Sequence, residues 1–166
     1  DVQQLWDNNS NKAIGGRLGY EFLPGLEIGG SYSRQKYDED NQLDIDFLGV
    51  DIQFKRGNLE LRGEYIVSDV DRATVDGGNF DRNGYYLQAS YKYPFDLNYV
   101  KSLEGVIRFA SLDDSNSINR EEENRTSIGV NYFPIEHVTI KFEYEFDQES
   151  GQELYGKSFV QAIFKW

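Results

Sequence analysis

Acids and bases stand at alternate positions in several stretches of this 166-residue chain, and apolar residues fill the positions between them. The clearest stretch sets Thr139, Lys141, Glu143 and Glu145 on one parity and Val138, Ile140, Phe142, Tyr144 and Phe146 on the other. A helix would scatter these groups around its axis, whereas a pleated strand collects each set on one side. Two carboxylates spaced like Glu143 and Glu145 could serve as an acid–base pair on a glycosidic bond. They could equally be two steps in a hydrated, charged wall. The rest of the chain favours the wall. Its one histidine, His137, sits beside Pro134 in a short turn-like stretch, so no histidine relay can form, and no phosphate-binding glycine loop or GxSxG elbow occurs. No enzyme activity is expected.

The same alternation assigns a charged face to the whole chain: Arg17, Glu21, Glu27, Asp51, Lys55, Glu60, Arg62, Glu64, Lys92, Glu104, Arg108, Lys141, Glu143 and Glu145, with Lys165 near the end. Acids and bases there are nearly balanced. Charge confined to one parity is what a water-filled lumen needs, because lipid-facing charge is costly. These residues are therefore the candidate pore lining, with selectivity set by rings of charged side chains. The plainer reading is that they pair across strands and satisfy one another.

About nine strands are needed to position them: roughly 12–23, 26–37, 43–56, 59–71, 84–93, 102–112, 125–133, 138–147 and 157–166. In the third, Leu43, Ile45 and Phe47 share one parity while Leu48, Val50, Ile52 and Phe54 share the other, so a β-bulge is expected near Phe47-Leu48. Short connections (Pro24-Gly25, Arg56–Asn58, Pro94–Lys101, Pro134–His137) alternate with long acidic ones (Asp38–Gln42, Arg72–Asn83, Asp113–Asn124, Gln148–Gly156). All three prolines fall in the short set, where turns tolerate them. Outer-membrane barrels have short periplasmic turns and longer external loops, and a C-terminal strand ending in the periplasm places every short connection there. Outward aromatics then cluster near both ends: Tyr20, Phe22, Phe54, Tyr91, Tyr93, Tyr132, Phe164 and Trp166 below, and Tyr32, Tyr65, Tyr85, Phe109 and Phe146 above. A soluble sandwich also alternates. Its strands average about 5–6 residues, however, and these run to the roughly ten that a tilted membrane crossing requires.

Composition agrees. The 29 acidic residues against 17 basic, a net charge of −12, disfavour nucleic-acid partners. With no cysteine there is neither a disulfide scaffold nor a thiolate metal site. A mean hydropathy of −0.66 does not contradict a barrel, since only alternate strand residues meet lipid. Acidic loop clusters such as Asp38-Glu39-Asp40 and Glu121-Glu122-Glu123 lack the glycine of a calcium loop and read as solvated, so no metal or cofactor is expected. The opening residues, Asp1 to Trp6, lack the basic start and apolar core of a signal peptide, so a mature, processed or truncated chain is expected. Residues 1–166 read as one transmembrane β-barrel domain, with 1–11 an external loop or strand remnant and strands over 12–166.

Five segments carry a resemblance to a known family: Leu23–Gly29, Gly57–Tyr65, Gly84–Tyr91, Ser127–Pro134 and Lys141–Phe146. In order and spacing they resemble the C-terminal half of the phosphate-selective porin O/P-like proteins of Gram-negative outer membranes. The resemblance implies a barrel of about sixteen or more strands, so N-terminal strands are expected beyond those counted here. It also implies passive diffusion of small hydrophilic solutes or ions, outer-membrane lipid as a partner, and a homotrimer or other membrane assembly. The ending Val160, Ala162, Phe164 and Trp166 is similar to the aromatic signal read by barrel-insertion machinery. Phosphate selectivity is not expected, because no lysine or arginine ladder is visible; the acidic mouth points to a mild cation preference. A non-conducting barrel with a structural or assembly role is the alternative.

Overall fold

The computed structural model describes residues 12–38, 40, 42–72, 79–97, 100–114, 121–149 and 155–165. Within them the chain forms nine strands: β1 (Ile14–Leu23), β2 (Leu26–Lys36), β3 (Asp44–Arg56), β4 (Leu59–Val70), β5 (Phe80–Leu97), β6 (Val100–Asp114), β7 (Glu121–Ile135), β8 (Val138–Glu149) and β9 (Tyr155–Phe164). They make one sheet in chain order, each strand antiparallel to the next. Among the described residues, β1 and β9 each have a partner on one side only, so the sheet is open. The expected 1–11 segment and Trp166 lie outside the described residues.

Glycine and proline set two of the reversals. Between β1 and β2, Pro24 precedes Gly25, whose φ of 86° is the left-handed value that only glycine holds without strain. The Gly25 carbonyl then accepts the Lys55 N–H at 2.7 Å, tying this turn to the end of β3. Gly57, φ 59°, turns β3 into β4.

Three expectations are corrected. No bulge interrupts β3: its register with β2 and β4 runs unbroken past Phe47 and Leu48. Ile45 and Phe47 therefore stay on the charged parity, while Asp44 and Asp46 stand on the other. There Arg34 pairs with Asp44 at 2.6 Å, and Tyr32 donates to Asp46 at 2.7 Å. Irregular register occurs instead between Glu21 and Leu23, Pro94 and Leu97, and Tyr132 and Ile135. Second, Pro94 and Pro134 lie inside β5 and β7, at or within these irregular strand ends. A proline donates no ladder hydrogen bond, so a register break absorbs it at little cost. Third, β5, β6 and β7 extend beyond the expected limits, shortening the connections read as 72–83 and 113–124. Polar residues such as Asp81, Asp113 and Asn124 keep pairing there, because backbone bonds propagate the ladder after the apolar pattern has ended.

The two faces differ as the alternation requires. Leu61, Leu87 and Phe142 point away from the charged face and are 40%, 59% and 49% exposed, so no second layer among the described residues covers them. A sandwich would have buried them. Aromatic residues gather toward the strand ends on this apolar side, with ring contacts Tyr20–Phe22, Tyr85–Phe109 and Tyr144–Phe146 at 4.8, 6.0 and 4.7 Å.

Candidate functional site

Register decides which charged side chains share a surface. Arg17 lies opposite Ser31, Glu21 opposite Glu27, Asp51 opposite Glu64, and Lys55 opposite Glu60. Arg62 lies opposite Gln88, Lys92 opposite Glu104, Arg108 opposite Ser127, Glu143 opposite Gly129, and Glu145 opposite Lys157. Lys141 lies opposite Asn131, itself opposite Glu104. All fourteen expected residues thus stand on one face of one sheet.

That face brings some of them into direct pairs. Arg17 grips Asp51 with two hydrogen bonds of 2.9 and 2.5 Å and reaches Glu27 at 2.8 Å. Two small neighbours, Gly19 and Gly29, leave room for its guanidinium: a Cβ at either position would collide with it. Arg62 pairs with Glu60, two residues along the same strand. Glu104 accepts from Asn131 at 2.7 Å, and Glu21 accepts from the Gly25 N–H at 2.7 Å. Opposition in the ladder does not guarantee a pair, however. Lys92 lies 4.0 Å over the Phe133 ring, and Arg108 lies 4.2 Å over the Tyr86 ring, a cation–π arrangement that leaves the guanidinium edge open. Among the described residues no acid lies within ion-pair distance of Lys55, Lys92, Arg108 or Lys141, and no base within that distance of Glu64 or Glu143.

Alternation also concealed a second cluster. Asp147, fully buried, accepts from Arg125 at 2.6 Å and Lys157 at 3.1 Å, and Arg125 also reaches Glu123 at 2.9 Å. Three strands, β7, β8 and β9, meet in it. These residues sit at strand margins where apolar alternation fades; the spacing Arg125, Ser127, Gly129 on the charged parity was the available signal. Further along, Arg82 pairs with Asp114 at 2.8 Å, while the other Asp114 oxygen, Oδ1, is buried without a hydrogen-bond partner among the described residues.

The unbroken β3 register adds an apolar part to this face. Ile45 lies beside Val70, and Val70 beside Phe80; Phe47 lies beside Ser68. Ile45, Phe47, Ile66 and Leu112 line a cavity of about 520 Å³ near the strand ends where β2 leads into β3 and β4 into β5. A smaller, polar cavity of about 230 Å³ adjoins it through Arg108, with Gln88, Asn131, Lys141 and Glu143 in its wall. Among the described residues, no group of three or more His, Cys, Asp or Glu is placed to hold a metal ion.

Val160, Ala162 and Phe164, expected to form an insertion signal, project from the apolar side of β9, opposite Phe142, Ile140 and Val138. All three are exposed.

A single antiparallel meander with an uncovered apolar face and a charged face is the architecture of the outer-membrane β-barrel porins, seen here as part of a barrel wall. The family model for phosphate-selective porin O and P matches residues 1–154, and the chain belongs to that family. Among solved structures, an anion-selective porin from Comamonas acidovorans has a similar fold, with a TM-score of 0.69 at 18% sequence identity. The match covers 90% of this chain and 47% of that one, so the chain spans about half the length of that porin. A search of curated proteins finds no match.

Proposed function

We propose that this chain forms the C-terminal part of a passive outer-membrane channel, in which the charged face lines a water-filled lumen and the apolar face meets lipid. The carrying observation is the separation of the faces: Arg17, Asp51, Glu64, Arg108, Lys141 and Glu143 on one side, exposed Leu61, Leu87 and Phe142 on the other. Charge on the lipid side would cost several kcal/mol near the bilayer centre, whereas a hydrated lumen accepts it freely. The open edges of β1 and β9 support a barrel completed by further strands, because unpaired amides are not tolerated in hydrocarbon.

Transport in this reading is diffusion of small hydrophilic solutes or ions through a field shaped by fixed charges, with no covalent step. Acids in the connections after β2 and β4 (Asp38, Asp40, Asp71, Asp76) and the net charge of −12 support a mild cation preference at the mouth. The Comamonas porin is named as anion-selective, so the sign of selectivity is a sharp test. Planar-bilayer recording of the complete protein in a potassium chloride gradient supplies it. Steady conductance with a small cation preference is expected. Anion preference would remove the role given to the acidic mouth, and absence of conductance would leave a non-conducting barrel with a structural or assembly role. A homotrimer and recognition by barrel-insertion machinery belong to the same proposal, and cross-linking in native membranes tests the first.

A further inference from the structure

The apolar cavity is out of place on a wall meant for water. Its floor is Ile45, Phe47, Ile66 and Leu112, all held on the charged side by continuous register. At its lower end Glu64 and Tyr86 face each other in the ladder, and Arg108 stacks 4.2 Å over the Tyr86 ring. At its rim Arg82 and Asp114 neutralise each other at 2.8 Å. The charges left for a visitor are therefore one acid, Glu64, and one base, Arg108, neither with an ion-pair partner among the described residues. They flank one ring at the end of a cleft of about 520 Å³.

The complement of this arrangement is a molecule with a positive and a negative group at one end and an apolar body. We propose that the cavity is a luminal subsite for apolar zwitterions of the amino-acid type, with the carboxylate at Arg108, the ammonium at Glu64 and the side chain over Phe47, Ile66 and Leu112. A guanidinium parked on a ring keeps its edge donors free and its rotamer fixed, which suits capture of a carboxylate. A small inorganic anion would meet Glu64 without using the apolar floor, and so gains least. The inference rests on the channel reading, since it places the site along the diffusion path.

The test uses the complete protein in planar bilayers, with potassium chloride current measured while L-phenylalanine, glycine or 3-phenylpropanoate is added. L-Phenylalanine is expected to reduce the current saturably, with its half-effect at roughly tenfold lower concentration than glycine, as a filled apolar pocket implies. It should also act below 3-phenylpropanoate, which lacks the ammonium. Ile66→Ser should close most of the gap to glycine, and Arg108→Gln should weaken L-phenylalanine roughly tenfold. Equal behaviour of L-phenylalanine and glycine in a conducting wild-type channel overturns the subsite while leaving the channel intact. That result is also expected if another part of the polypeptide fills the cavity. Should no current appear at all, the channel reading fails separately, and saturation-transfer NMR of the detergent-solubilised protein with L-phenylalanine and glycine decides the subsite alone. Signal for both or for neither overturns it.

Discussion

Arg17 and Asp147 each hold an ion cluster on the same face of the sheet, with the signs reversed. Around Arg17 one cation sits between two acids, and its side chain remains 46% exposed. Around Asp147 one acid sits between two cations and is 0% exposed. The chemistry is the same, yet burial gives the two clusters different work. Exposed pairs exchange their partners for water at small cost, so the Arg17 cluster contributes little to holding β1, β2 and β3 together. A buried carboxylate flanked by Arg125 and Lys157 has no such exchange. Remove it, and Arg125 and Lys157 lose their shared partner, while Arg125 keeps Glu123 and the two cations stay 39% and 46% exposed. The Arg17 cluster is therefore suited to meeting solutes, and the Asp147 cluster to fastening β7, β8 and β9.

The largest effect should come from Asp147→Ala, which removes two charge-assisted hydrogen bonds and a fully buried side chain where three strands meet, read as a lowered urea midpoint of the refolded protein in lipid. A loss no larger than that of Arg17→Ala would break the distinction. Next, the comparison presumes that both clusters lie on the wet side. Leu87→Arg, on the opposite face, should cost about 2–4 kcal/mol in the same measurement near the bilayer midplane. A neutral result there would place the lipid boundary elsewhere. Arg17→Ala should leave the urea midpoint almost unmoved, while raising cation over anion permeability in bilayer recordings, because Asp51 and Glu27 lose their neutralising partner. A double-mutant cycle should show stronger coupling for Arg125 with Asp147 than for Arg17 with Asp51.

The smallest effect lies outside the membrane, in the connection after β2. Asp38 accepts the backbone N–H groups of Gln42 and Leu43 at 2.9 and 2.8 Å. Partial desolvation pushes its carboxyl up, but these amide hydrogen bonds outweigh it and hold the group below its ordinary value of 3.8. The ionised form is thus the one the folded loop favours. The clamp should be present at neutral pH, persist below pH 3.8, and be lost as pH falls through the depressed value. The amide proton shifts of Gln42 and Leu43, followed by NMR during acid titration, check this. A midpoint above 3.8 would show that the clamp does not stabilise the charged form.

What was legible in the sequence follows from locality. Alternation at Val138–Phe146, Leu59–Tyr65 and Tyr85–Tyr93 is a property of consecutive residues, and a strand's period of two turns it directly into faces. Strand number, the two faces, and the turn at Pro24-Gly25 needed nothing more. Partners are not local. Whether Arg108 meets an acid or the Tyr86 ring depends on the register of β5 against β6, and Asp147 finds Lys157 only because β8 and β9 pair beyond their apolar stretches.

The third strand shows the boundary between the two most sharply. The sequence pattern predicts a bulge that turns Ile45 and Phe47 toward lipid, whereas the structure holds a continuous strand that keeps them on the charged side. Cross-strand hydrogen bonding to β2 and β4 on both flanks chose the second, because a bulge leaves a residue unpaired in two ladders at once. The chain by itself determined that one surface is oily and the other wet; the assembled sheet decided where the wet surface carries an apolar hollow, and which charges remain free beside it.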